Sequence, residues 1–210
     1  ASDWTQSTLK FTGTGPIKLS IKEDGDDTAY TIDLEIVAGY NVTDYTGTFG
    51  LANRNSVLMN DITMSENGQY ALNNATLYGN GFTFDVTAGK YGNANGYENS
   101  NYVISLNNAK LDNIRIVGAV YENYGIASKD DYNFACVMIN GGSCEILNSY
   151  ISNCAAPIRA RAGSDLLLKN TTLKGGSFCN LDIRSGVHVT ADGLTTNNQN
   201  GRQHFLIRGG

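Results

Sequence analysis

The sequence predicts an all-β protein, most of it a solenoid of stacked parallel strands with an antiparallel β segment in front. Two observations predict it. Lines of like residues return every 21 to 24 positions, each with short apolar stretches and no helical periodicity. The 210 residues also include 24 Gly and 25 Asn against only 2 Pro, so nearly a quarter of the chain enters left-handed turns readily. That suits many short strands joined by tight bends. At 41% hydrophobic and 17% charged, the chain has material for a core and is too apolar for disorder. No apolar run approaches the roughly 18 residues of a membrane span. The N-terminus lacks a basic-then-apolar signal segment, so the chain reads as soluble and already processed or excerpted.

Residues 1–40 read as the antiparallel segment. Leu9 to Thr12, Ile17 to Ile21 and Tyr30 to Val37 alternate apolar with polar residues. Glu23-Asp24-Gly25-Asp26-Asp27 marks a turn between the last two. Trp4 is outside the repeat and is expected to pack at an N-terminal cap.

Residues 41–210 carry the repeat. Its clearest lines run from Leu111 to Ile116, Ile146 to Ile151, Leu168 to Leu173 and Val189 to Leu194. Each is an apolar residue, then Asn or Ala two positions on, then an apolar residue three further. A second set of lines runs from Val103 to Asn107, Cys136 to Asn140, Pro157 to Arg161, Asn180 to Arg184 and His204 to Arg208. Asn107, Asn140, Arg161, Arg184 and Arg208 are then equivalent, at spacings of 33, 21, 23 and 24. Two extended loops, Thr87 to Asn101 and Ala119 to Ala135, account for the longer interval. One coil cannot bury its inward side chains alone, but coils stacked at the ~4.8 Å strand spacing form continuous apolar columns. Asn113, Asn148 and Asn170 are expected in the bends, left-handed, with each amide bonded to the next coil.

These columns resemble the right-handed parallel β-helix of the pectate-lyase-like superfamily, over residues 41–210. That fold hosts lyases, hydrolases, esterases, phage tailspikes and noncatalytic adhesins, so it does not select an activity. At Phe11 to Gly15, Ile17 to Ile21, Tyr30 to Val37 and Asn41-Val42-Thr43, the N-terminal segment resembles the closing strands of a bacterial immunoglobulin-like module. The opening strands of such a module are missing, so either they precede this chain or the hairpin caps the solenoid. The chain stops at Ile207-Arg208-Gly209-Gly210, inside a coil, which predicts a fragment of a longer protein or an end covered by a partner.

Charge is unevenly spread. The net charge is −5, yet residues 143–210 hold 7 bases and 4 acids. This argues against nucleic acid as a partner and allows a local site for an anionic ligand. With Ile158, Ala160, Leu181, Ile183, Phe205 and Ile207 inward, Arg159, Asp182 and Leu206 form one outward column and Arg161, Arg184 and Arg208 a second. A column of like charges suggests an anion, a carboxylate neighbour, or solvated arginines that stack and pair with Asp182. Arginine also grips a carboxylate or sulfate with two hydrogen bonds at once, as a uronate or sulfated sugar chain along the solenoid would require.

The resemblance implies a substrate groove along this sheet, which places Arg159, Arg161, Asp182, Arg184 and Arg208 in it. His204 begins a line beside the arginines and is a further candidate, while His188 has no clear side. Tyr121 and Tyr124, with Tyr91, Tyr97, Tyr102 and Tyr132, are candidates for stacking on sugar rings. A lyase of this superfamily would need an Arg or Lys base with a metal's help. Calcium would then want several oxygen ligands, and the only acid cluster nearby in sequence is Glu122, Asp130 and Asp131. The Asn-Thr-Asp and Gly-His-Gly settings of the glycosidase members do not occur in the sequence. Cys136, Cys144, Cys154 and Cys179 lack zinc spacing. Cys154 and Cys179, about one repeat apart, can bridge if the protein is secreted; otherwise they are buried thiols.

The reading that follows is an extracellular or cell-surface β-helix that binds glycans or serves as an adhesin or stalk. It has no cofactor, no nucleic-acid partner and no membrane insertion, and further domains of the same chain are expected. The alternative is a polysaccharide lyase that cleaves a uronate glycan by β-elimination. A trimeric tailspike is a third architecture compatible with the repeat.

Overall fold

The structure, a computed structural model, describes residues 14–22, 25, 28–36, 39–45, 53–64, 70–87, 102–119, 135–161, 163–197 and 203–208. The chain divides into two compact units, Ala1–Gly39 and Tyr40–Gly210.

In the first unit, β1 (Gly15–Lys22) and β2 (Ala29–Ile36) pair antiparallel, with Gly15 opposite Ile36 and Lys22 opposite Ala29. Gly25, at φ 88°, lies in the connection, where the left-handed backbone favours glycine. Lys18 lies 3.5 Å from Asp33 across the pair, both exposed, a contact of little energetic weight. Ile21, Tyr30, Ile32 and Leu34 are also exposed. The expected strand Leu9 to Thr12, and Trp4, lie outside the described residues.

The second unit is a parallel β-helix of three sheets. After β3 (Tyr40–Val42), the described strands fall into six coils, each contributing one strand to each sheet. The first coil is β4 (Ser56–Leu58), β5 (Ile62–Thr63) and β6 (Tyr70–Asn73); the second is β7 (Thr76–Tyr78), β8 (Thr83–Asp85) and β9 (Tyr102–Asn107). The third is β10 (Lys110–Asp112), β11 (Arg115–Val117) and β12 (Ala135–Ile139); the fourth is β13 (Gly142–Leu147), β14 (Tyr150–Ser152) and β15 (Ala156–Ala160). The fifth is β16 (Ser164–Lys169), β17 (Thr172–Lys174) and β18 (Cys179–Arg184); the sixth is β19 (His188–Asp192), β20 (Thr195–Asn197) and β21 (Gln203–Arg208). The two long connections fall between the second and third sheets, after β8 and β11, and most of their residues lie outside the described set.

The core forms because like residues stack. In the first sheet, Leu77, Leu111, Ile146, Leu168 and Ala191 are in register. In the second, Ile62, Phe84, Ile116, Ile151, Leu173 and Thr196 stack. In the third, Tyr70, Ile104, Val137, Ile158, Leu181 and Phe205 do so. Each fully buried aliphatic side chain in these columns contributes on the order of 1.5–3 kcal/mol. Phe205 and Ile207 occupy inward register positions, as expected, but are 46% and 72% exposed. The reason is that β21 is the edge strand of its sheet, so each has a neighbouring coil on one side only.

Asparagine makes the bends. Asn113, Asn148 and Asn170 have φ of 52°, 50° and 48°. Asn170 Nδ2 donates to Asn148 Oδ1 at 3.3 Å, and Asn148 Nδ2 donates to Asp112 Oδ1 at 3.1 Å, so the ladder continues through Asp112 rather than Asn113. The fourth expected line needs correction. Leu166 pairs with Val189 and Leu168 with Ala191, which puts Gly193, at φ 69°, at the bend in place of Ala191. Glycine substitutes for asparagine there because both accept a positive φ, which alanine does not. A Cβ on Gly193 would also lie 2.7 Å from Asn170 Oδ1. Gly193→Ala is therefore expected to lower stability by about 1–2 kcal/mol in a urea melt.

Candidate functional site

The third sheet assembles the arginines. Ser105, Met138, Arg159, Asp182 and Leu206 stand in register on five successive strands. Ala160 pairs with Ile183, so Arg161 and Arg184 follow next in the same register, and Arg184 pairs with Arg208. The two expected columns therefore exist.

Their exposure differs from expectation. The column of Arg159 and Asp182 was expected to meet solvent, but the two side chains are 2% and 0% exposed. Asp182 is the hub. Its carboxylate lies 3.0 Å from Arg159 Nε, 3.3 Å from Arg208 Nε and 3.8 Å from Arg184 Nε. Taking ions out of water costs several kcal/mol each, and the opposite charges brought within 4 Å are what make this burial tolerable. Arg184 and Arg208 stay 23% and 35% exposed. Arg161 is half-buried, and its Nη1 donates to Asn140 Oδ1 at 2.8 Å. Four of the proposed residues thus share one carboxylate-centred cluster, and Arg161 extends the row through the preceding coil.

Two residues not singled out as site residues take part. Arg208 Cζ stands 5.4 Å from the centre of the Phe178 ring, within reach of a cation–π contact. Phe178, Tyr102 and Leu206 pack on a small apolar cluster of Ala135, Ala155, Ala156 and Cys179. The readable signal for Phe178 was an aromatic immediately before the strand that carries Asp182. Asn140 was visible as an equivalent position but not as a partner of Arg161. The Cys179 thiol is pushed up to about 12, first by burial and then by Asp182, with Arg208 opposing.

His204 has a hydroxyl partner. Its Nδ1 lies 2.8 Å from Thr196 Oγ1, and Thr196 continues the inward column of Leu173. The ring is exposed, and the partner it meets is this threonine of the second sheet. His188 is exposed, in register with exposed Asp165. Tyr121, Tyr124, Tyr91, Tyr97 and Tyr132, with Glu122, Asp130 and Asp131, lie outside the described residues. The residues of this face do not fit calcium, because Asp182 is ringed by guanidinium groups. Among the described residues no three His, Cys, Asp or Glu side chains gather as metal ligands would. No described helix is long and apolar enough to cross a membrane.

Compared with known proteins, the chain matches no family model, no curated protein and no solved structure.

Proposed function

We propose that the β-helix is a secreted or cell-surface module that binds an acidic glycan along its third sheet without cleaving it. The observation that carries this reading is the row of guanidinium groups aligned coil over coil, with Arg184 and Arg208 adjacent and partly exposed. Adjacent strands set them ~4.8 Å apart, and a guanidinium offers a carboxylate or sulfate two parallel hydrogen bonds. Asp182 contacts both from below, which limits their rotamers and lowers the entropy lost on gripping a ligand. The basic balance of residues 143–210 within an acidic chain favours an anion at this end. The likeness of the coils to the pectate-lyase-like superfamily supports a carbohydrate as that anion.

Binding to polygalacturonate, alginate and heparin, measured by calorimetry at low salt, tests the reading. At least one polyanion is expected to bind, and Arg184→Ala and Arg208→Ala are each expected to weaken it about three- to tenfold. Added salt should weaken it further. Affinity unchanged in both variants would remove the site. Absorbance of unsaturated uronate products, followed in the same mixtures, should stay flat; sustained product formation would overturn the noncatalytic reading in favour of a lyase.

A further inference from the structure

Four cysteines are fully buried as free thiols, and two of them meet. Cys136 Sγ lies 2.8 Å from Cys154 Sγ. The bridge that spacing allows in a secreted protein, Cys154 with Cys179, is not the pair the fold brings together, and all four cysteines are buried thiols, the other reading of the sequence. Cys136 and Cys154 belong to the main core, whereas Cys179 belongs to the separate cluster with Ala135 and Ala156. Spacing does not mark the pair, because Cys136 and Cys154 are 18 residues apart, short of a full coil. Cys136 is the second residue of a third-sheet strand of one coil, and Cys154 sits in the bend that leads to the third sheet of the next.

The backbone around the pair is shaped to it. Cys154 has φ 56°, a left-handed conformation that a side-chain-bearing residue adopts at a cost. Its N–H donates to Ala119 O at 2.9 Å, and Gly118 N–H donates to Ser152 O at 2.9 Å, so the bends of neighbouring coils hold each other here. A Cβ on Gly118 would collide with both sulfur atoms. The absent side chain at Gly118 is therefore the space the two sulfurs occupy.

We propose that Cys136 and Cys154 are oxidised to a disulfide that ties the third coil of the β-helix to the bend of the fourth. The sulfurs need to approach by less than about 1 Å to reach bonding distance. The oxidant is a small-molecule or protein disulfide. One cysteine thiolate attacks it, forms a mixed disulfide and expels one thiol; the second cysteine thiolate then displaces the other thiol. Two electrons pass from the cysteines to the oxidant, and the two cysteine protons end on the two thiols released. Burial, then the neighbouring Cys154 thiol, hold the Cys136 thiol well above its ordinary range, so exchange belongs to the folding chain before the coil closes. The closed coil then shields the bond from reductant. This inference is independent of the glycan-binding reading and needs only an oxidising compartment or buffer.

The test is refolding the whole chain in a glutathione redox buffer, followed by denaturation in a maleimide reagent without reductant. Two of the four cysteines, Cys144 and Cys179, are expected to be labelled, and a digest should contain a reducible link between the Cys136 and Cys154 peptides. Protein refolded in reductant should melt about 5–10 °C lower than the oxidised form. The Cys136→Ala/Cys154→Ala double variant should lose that difference while labelling at Cys144 and Cys179 under both conditions. Labelling of all four cysteines after oxidative refolding, a link from Cys154 to Cys179, or a melting temperature indifferent to oxidation would each overturn the proposal.

Discussion

Asp182→Asn is expected to destabilise the β-helix by about 3–5 kcal/mol, read as a lower urea midpoint at unchanged slope. The carboxylate is fully buried and stands within 4 Å of three guanidinium groups, one of them, Arg159, itself only 2% exposed. Asparagine keeps the shape but removes the charge, which leaves Arg159 in the low-dielectric interior without this counter-charge. The loss measures the cost of stranding a buried ion more than the worth of the pair. A second variant separates the two. In register, Arg159 follows Met138 and Asp182 precedes Leu206, so Arg159→Met/Asp182→Leu would turn this part of the column apolar throughout. The double variant is expected to be more stable than Asp182→Asn alone, and a double variant as unstable as the single one would show that packing, not charge, dominates at this position. Because Asp182 also contacts Arg184 and Arg208, the double variant should bind polyanions more weakly even where it folds well.

The architecture was legible because a solenoid writes its geometry into a sequence period. Leu111, Ile146 and Leu168 had to recur if their columns were to close, and Asn113, Asn148 and Asn170 marked the bends by the one conformation that other side chains avoid. The same logic failed where the bend residue changed type. Gly193 carries the bend of the last coil, and the apolar spacing there was satisfied equally well two residues earlier. A second bend column, with Asn53, Asn74 and Asn108 at φ of 60°, 49° and 46°, does not stand out in the spacing. Asn74 Nδ2 donates to Asn53 Oδ1 at 3.1 Å, so it too has a ladder. It was masked because each of these asparagines stands among others, in runs such as Asn73-Asn74 and Asn107-Asn108.

The candidate site was legible in register but not in depth. Alternation along a strand tells which residues share a face; it does not tell whether that face is covered. The five described residues of β12, and likewise of β15, are all buried, Met138 and Arg159 among them, so the centre of this sheet is enclosed on both sides. The alternating pattern reads identically for a solvated face. The sulfur pair was hidden for a related reason: its partners come from different positions in the repeat, and a periodic reading only ever pairs like with like.

Phe84→Ala is the core change expected to cost most, about 3–5 kcal/mol. The ring is 1% exposed, stacked between Ile62 and Ile116 in the second sheet, and set edge-on to Tyr70 with centroids 5.6 Å apart. Truncation removes the ring from three contacts at once and opens a cavity that neighbouring coils cannot collapse into, because their spacing is fixed by strand hydrogen bonds. Phe205→Ala deletes the same side chain from an inward register position, but there the ring is 46% exposed, so the expected loss is about 1 kcal/mol. In a solenoid each coil contacts only its neighbours, so the damage from Phe84→Ala should be local. Amide hydrogen exchange is expected to quicken in β4–β12, the coil that holds the cavity and those on either side of it, while β13–β18 keep their protection. Uniform quickening through all six coils would show instead that the helix opens as one cooperative unit, and that no stretch of coils stands without the rest.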